Sequence, residues 1–104
     1  MAAMRSGAGD RRQKQAERRL FEIHARLAAA RAELEVVEAQ HAALEAMADD
    51  ARVKMLLSET ALAHREFEEA RRHEEAMRRS CAAARAAVSE LERVQSELFD
   101  NLVV

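Results

Sequence analysis

The apolar residues of this chain fall into two heptad seams that cannot lie on one straight helix. In the first, Leu20, Leu27, Leu34 and His41 share a column, and Ile23, Ala30, Val37 and Leu44 share the column three residues on. That alternation is the a/d seam of a left-handed coiled coil. In the second, Thr60, Phe67, Glu74, Cys81, Val88, Gln95 and Leu102 form the a column. Ala63, Ala70, Met77, Ala84, Leu91 and Leu98 form its d column. Passing from one seam to the other shifts the heptad by about five residues, whereas coiled-coil stutters and stammers insert four or three. A turn between the seams accounts for the slip. The expected fold is therefore all-α: an antiparallel two-helix coiled-coil hairpin that dimerises into a helical bundle.

Composition supports helices throughout. The chain has no Pro, no Trp and no Tyr, only Phe21, Phe67 and Phe99 as aromatics, and 35% charged residues. Alanine, Glu, Arg, Leu and Gln are strong helix formers, and this mixture belongs to long helices and coiled coils. Both glycines, Gly7 and Gly9, stand near the start. Residues 1–9 are accordingly expected to be a disordered lead-in, with Asp10 as the N-cap of the first helix.

Helix 1 is expected over about 10–47, a connector over about 48–57 and helix 2 over about 58–101. Asp49 and Asp50 are weak helix formers. Ser58 offers an N-cap, and Leu57 and Leu62 stand where a hydrophobic staple would. Folding back there pairs residues whose numbers sum to about 104. The layers become Leu20–Ala84, Ile23–Cys81, Leu27–Met77, Leu34–Ala70, Val37–Phe67 and His41–Ala63, so that large residues usually meet small ones. A register one heptad away, summing to about 97, pairs Ala30 with Phe67 and remains open.

Such a hairpin has one thin seam. Full burial of a Leu or Phe gives roughly 1.5–3 kcal/mol, while ordering each residue costs about 1–2 kcal/mol of backbone entropy. Dimerisation or docking on a helical protein partner is the expected remedy. The first candidate surface is Leu91, Val94, Leu98, Phe99 and Leu102, either a seam continuing into a homodimer or a dock for another protein. The second is the connector, where Val53, Met55, Leu56 and Leu57 can form a recognition knob or fold back to cap the seam.

A basic stripe repeats along helix 2 through Arg65, Arg71, Arg72, Arg78, Arg79 and Arg85. It can track phosphates, but no aromatic interleaves with it to stack bases. The competing expectation is ion pairing, with Glu38 and Glu45 facing His64 and Arg71 across the hairpin. Glu68–Arg72, Glu74–Arg78 and Glu75–Arg79 have the spacing of pairs within one helix.

Of the four histidines, His41 lies in Glu38-Ala-Gln-His41, the Glu-x-x-His spacing of di-iron bundles. Those bundles need two copies and two further carboxylates, so no metal or cofactor is expected. His41 is instead read as a polar residue that sets register. Glu74 on the seam signals a weak layer, a paired charge or a different register. Cys81 is read as a small buried side chain, since a catalytic thiol needs an activating neighbour and a pocket. No enzymatic activity and no small-molecule substrate are expected.

A single cysteine fits a reducing compartment, and a net charge of −2 implies no global polyelectrolyte partner. No apolar run approaches the ~20 residues of a membrane span, and the start of the chain lacks the apolar core of a secretory signal. A cytoplasmic protein is expected.

The stretch Leu57-Ser-Glu-Thr-Ala-Leu-Ala-His-Arg-Glu-Phe67, with the Arg/His-rich run beyond it to Arg79, resembles small coiled-coil proteins of high-GC actinobacteria. The likeness extends over roughly two-thirds of the chain and is one of charged-alanine helices. It implies a bacterial cytosolic protein and no activity. The architecture also looks like the helical-hairpin escort proteins of flagellar and type III export. The function expected from these readings is a non-enzymatic protein–protein interaction module, with a nucleic-acid- or ribosome/polymerase-associated factor as the alternative.

Overall fold

A computed structural model describes residues 2–103, with side chains described for residue 7 and residues 9–102. Two long α-helices pack against each other as a hairpin: α1 (Ala2–Ser58) and α2 (Ala61–Val103). Among the described residues there is no strand. Of the expected lead-in, Met1 lies outside the described residues, and the chain is helical from Ala2. Asp10 therefore sits inside α1 and is not its cap.

The connector is two residues, Glu59 and Thr60, not the span 48–57. The reason is that the first seam does not stop at Leu44. Ala48, Ala51 and Met55 continue it and are half-buried, while Asp49 and Asp50 fall on the outer side and are exposed. Weak helix formers are tolerated there because packing on the opposite face holds the helix. The turn comes where the seam ends. Glu59 takes the left-handed conformation with φ 52°, and its N–H donates to the Met55 carbonyl at 3.0 Å. This is the single-bond left-handed helix stop, here without the usual glycine. Thr60 then caps α2: its Oγ1 accepts from the Ala63 N–H at 3.1 Å, as an N-cap threonine does. Ser58 belongs to α1, and the expected staple residues Leu57 and Leu62 are both exposed.

Moving the turn moves the register. In the compact unit Ala32–Ala86, the buried Cys81 thiol donates to the Val37 carbonyl at 3.5 Å. Residues opposite each other there have numbers summing to about 118, two heptads beyond the expected pairing. Val37 thus meets Cys81 and not Phe67, and His41 meets Glu74 and not Ala63. Glu38 reaches Arg85 at 3.5 Å. In the register summing to about 104, Glu74 would stand against Ala30, with no polar group across from it; such burial is costly.

In the unit formed by Met1–Arg31 with Ala87–Val104, the same columns are occupied. Leu27 and Val88 are buried, and Ala16, Leu20, Ile23, Ala30, Leu91, Gln95, Leu98 and Leu102 are half-buried. Arg31 meets Glu92 at 3.6 Å on the flank. Leu91, Leu98 and Leu102 therefore lie in the seam of this unit.

The core is thin. Leu27, Val37, Ala63, Cys81 and Val88 are its buried apolar members, and only Leu27 and Cys81 are 1% exposed. Two consequences are measurable. Leu27→Ala should lose about 2–4 kcal/mol in denaturant unfolding, while Phe21→Ala, at a residue 76% exposed, should change stability by less than about 0.5 kcal/mol. A cysteine placed at Val37 should join native Cys81 through a short bismaleimide within one molecule. One placed at Ala51, on the same face but about 21 Å further along the helix, should not.

Candidate functional site

The seam is interrupted once by charge. Glu74 is the buried charged residue of the described chain, 7% exposed. It stands in the a column of α2, so the heptad that buries Cys81 and Val88 buries its carboxylate too. Across from it, α1 presents His41 in its own seam column, with Glu45 one turn on. His41 Nε2 lies 3.2 Å from Glu45 Oε1 and 3.7 Å from Glu74 Oε1. Arg78, one turn along α2, donates to Glu74 Oε1. Its guanidinium reaches in from a largely exposed position, and Glu45 is also solvent-facing.

The cluster is incompletely satisfied. His41 Nε2 and Glu74 Oε2 are buried and make no hydrogen bond. An orphaned buried polar atom costs roughly 1–3 kcal/mol. The donor atoms of His41, Glu45 and Glu74 all lie within 4.8 Å of one another, a grouping compatible with a metal ion. It is not the one suggested by the Glu-x-x-His spacing, because Glu38 turns to Arg85. What reveals the cluster in the sequence is that His41 and Glu74 are both ionisable residues in seam columns. Two such residues on opposite helices relieve each other only in registers that bring them together.

The basic stripe is divided. Arg71 is bound by Glu68 at 3.0 Å and Glu75 at 2.6 Å, Arg78 by Glu74 and Arg85 by Glu38. The Arg71 guanidinium, through its hydrogen bond and its charge, holds the Glu68 carboxyl below its ordinary value, and Glu68 in turn raises Arg71. Of the expected pairs only Glu74–Arg78 forms, since Glu68 and Glu75 both choose Arg71. Glu45 pairs with His41, not Arg71. Arg65, Arg72 and Arg79 are exposed and make no ion pair among the described residues. A similar knot lies near the end of α2, where Arg93 is held by Glu90 at 2.6 Å and Glu97 at 2.5 Å.

The two apolar candidate surfaces also part. Leu91, Val94, Leu98 and Leu102 are half-buried, whereas Phe99 is 51% exposed. At the tip, Met55 joins the seam and caps it. Val53, Leu56 and Leu57 stay outside, 54%, 60% and 82% exposed, and Leu62 of α2 is exposed with them. The concavity near the start of α1 is lined by residues of that helix alone, among them Arg11, Lys14, Arg18 and Phe21, and is an open face. No helix among the described residues is long and apolar enough to cross a membrane.

No protein-family model matches this chain, and neither a curated protein nor a solved structure matches it.

The cluster predicts a sign reversal in stability. Breaking it on one side leaves charge buried without its partner, whereas replacing both partners removes the desolvation cost. His41→Ala should lower unfolding stability. His41→Leu/Glu74→Leu should match or exceed the natural chain in the same urea titration.

Proposed function

We propose that this chain is a non-enzymatic protein–protein interaction module, a coiled-coil adaptor or scaffold, that docks on a helical partner through its apolar tip. The observation carrying this reading is the exposure of Val53, Leu56, Leu57 and Leu62 around the connector. On α1, Val53, Leu56 and Leu57 follow i, i+3, i+4 spacing, so they share one face. They point away from the seam that Met55 closes. Large apolar side chains grouped in this way mark a contact surface, and the spacing is that of helix-in-groove recognition.

The surface area of the chain supports the same reading. It exposes 8116 Å² at 11.7 kDa, where a compact monomer of that mass exposes about 5,900 Å². The excess, about 2,200 Å², is on the order of a full protein–protein interface. A second copy of the chain is the simplest partner able to reduce it. The division of the basic stripe favours this reading over phosphate tracking, since Arg71, Arg78 and Arg85 already hold carboxylates.

Sedimentation equilibrium and cross-linking capture from native cytosol test the proposal on the natural chain and on Leu56→Asp/Leu57→Asp. Helical content should be unchanged, because both side chains are solvent-facing. Association should weaken by roughly tenfold or more, as loss of a central apolar anchor does. Equal assembly and equal capture by the two proteins would remove the tip from the function. Retention on nucleic acid that falls steeply with salt would transfer the function to the basic stripe.

A further inference from the structure

We infer that His41, Glu45 and Glu74 form a zinc-binding clasp joining α1 to α2 across the seam. Helical spacing sets His41 and Glu45 one turn apart on the same face, and the register brings Glu74 against them from the other helix. The donor set is one imidazole nitrogen and two carboxylates. Calcium takes six to eight oxygens and magnesium an oxygen octahedron, so a nitrogen-bearing set of three points to zinc with water in the fourth position.

The distances fit. Zinc bonded at about 2.0 Å in a tetrahedron separates its ligands by about 3.3 Å. His41 Nε2 is 3.2 Å from the Glu45 oxygen and 3.7 Å from the Glu74 oxygen. The third separation lies within 4.8 Å, a gap that rotation of the exposed Glu45 side chain can close.

A second observation is independent of the spacing. Glu74 is 7% exposed, and its Oε2 is buried with no hydrogen-bond partner. His41 Nε2, the atom facing both carboxylates, is also buried and without one. Atoms orphaned together in this way call for an ion or a water. Arg78 donates to Glu74 Oε1, the oxygen 3.7 Å from His41 Nε2, and zinc bound there takes its place. Glu45 is solvent-facing and gives the ion a way in. Two carboxylates balance the dication, and Arg78 on its long exposed stem can withdraw from it. The clasp would fix the hairpin register and does not depend on the tip.

The experiment uses the full chain, stripped with a chelator and titrated with zinc chloride, with magnesium and calcium chloride as comparisons. One equivalent of zinc should bind, and the thermal unfolding midpoint should rise and fall back on chelation. In NMR spectra of the natural chain, zinc should shift the His41 ring resonances and leave His24, His64 and His73 in place. His41→Gln and Glu74→Gln should each weaken binding roughly tenfold or more. The triple variant His24→Gln/His64→Gln/His73→Gln should bind as the natural chain does. Zinc that shifts the other three rings, or that the triple variant no longer binds, is adventitious surface zinc and overturns the clasp. Absence of binding overturns it equally. Should the seam variants fail to fold, the ring shifts of the natural chain decide alone.

Discussion

Where α1 stops determines almost every contact in this molecule. A heptad seam specifies which face of a helix is buried but not which heptad meets which. Sliding one helix past the other by seven residues keeps every a and d position facing inward. The choice falls to the turn and to the few residues that tolerate only some partners. Here the turn is built by Glu59 in a left-handed conformation and by Thr60 capping the next helix. With only these two residues between the helices, little slack is left for sliding. Once this stop is placed, Cys81 must meet Val37, Glu74 must meet His41, and the C-terminal leucines must pack in the seam instead of hanging past it.

The helical class, the hairpin and both seam columns are legible in the sequence, because each rests on a repeat sampled many times. The position of the turn rests on two residues of ordinary identity, Glu59 and Thr60, with neither Gly nor Pro to mark it. The alanines at 48 and 51 are seam residues but look like the outward alanines around them, so the first seam reads as ending early. Asp49 and Asp50 then look like a break, although the heptad sets them on the solvent side where their low propensity costs little. That one displacement carries the other differences with it. The expected Ile23–Cys81 layer is two heptads off, and Leu91, Leu98 and Leu102 are left without a partner. The His41 cluster is hidden for the same reason. Both of its seam residues stand out in the sequence, but a register summing to about 104 keeps them apart.

The narrowness of the core connects fold to function. A seam one residue wide buries few side chains fully, and alanines fill many of its layers. Alanine allows close helix approach and strong propensity, but contributes little burial. Several large apolar side chains lie outside it: Phe21, Val36, Met47, Leu56 and Leu57 are all exposed. Ion-pair knots such as Glu68–Arg71–Glu75 and Glu90–Arg93–Glu97 line the long exposed helix faces.

The polar layer at His41 and Glu74 makes sense beside so thin a seam. Apolar layers built largely of alanine discriminate weakly between registers, because exchanging one Ala or Leu layer for another changes little buried area. A carboxylate in the seam discriminates strongly. In the observed register Glu74 has His41 across from it and Arg78 beside it; moved a heptad either way it would keep Arg78 but lose the imidazole. The desolvation cost of the anion is then no longer offset, and it falls on the wrong registers more heavily than on the right one. Glu74 thus lowers the stability of every pairing while lowering the native one least.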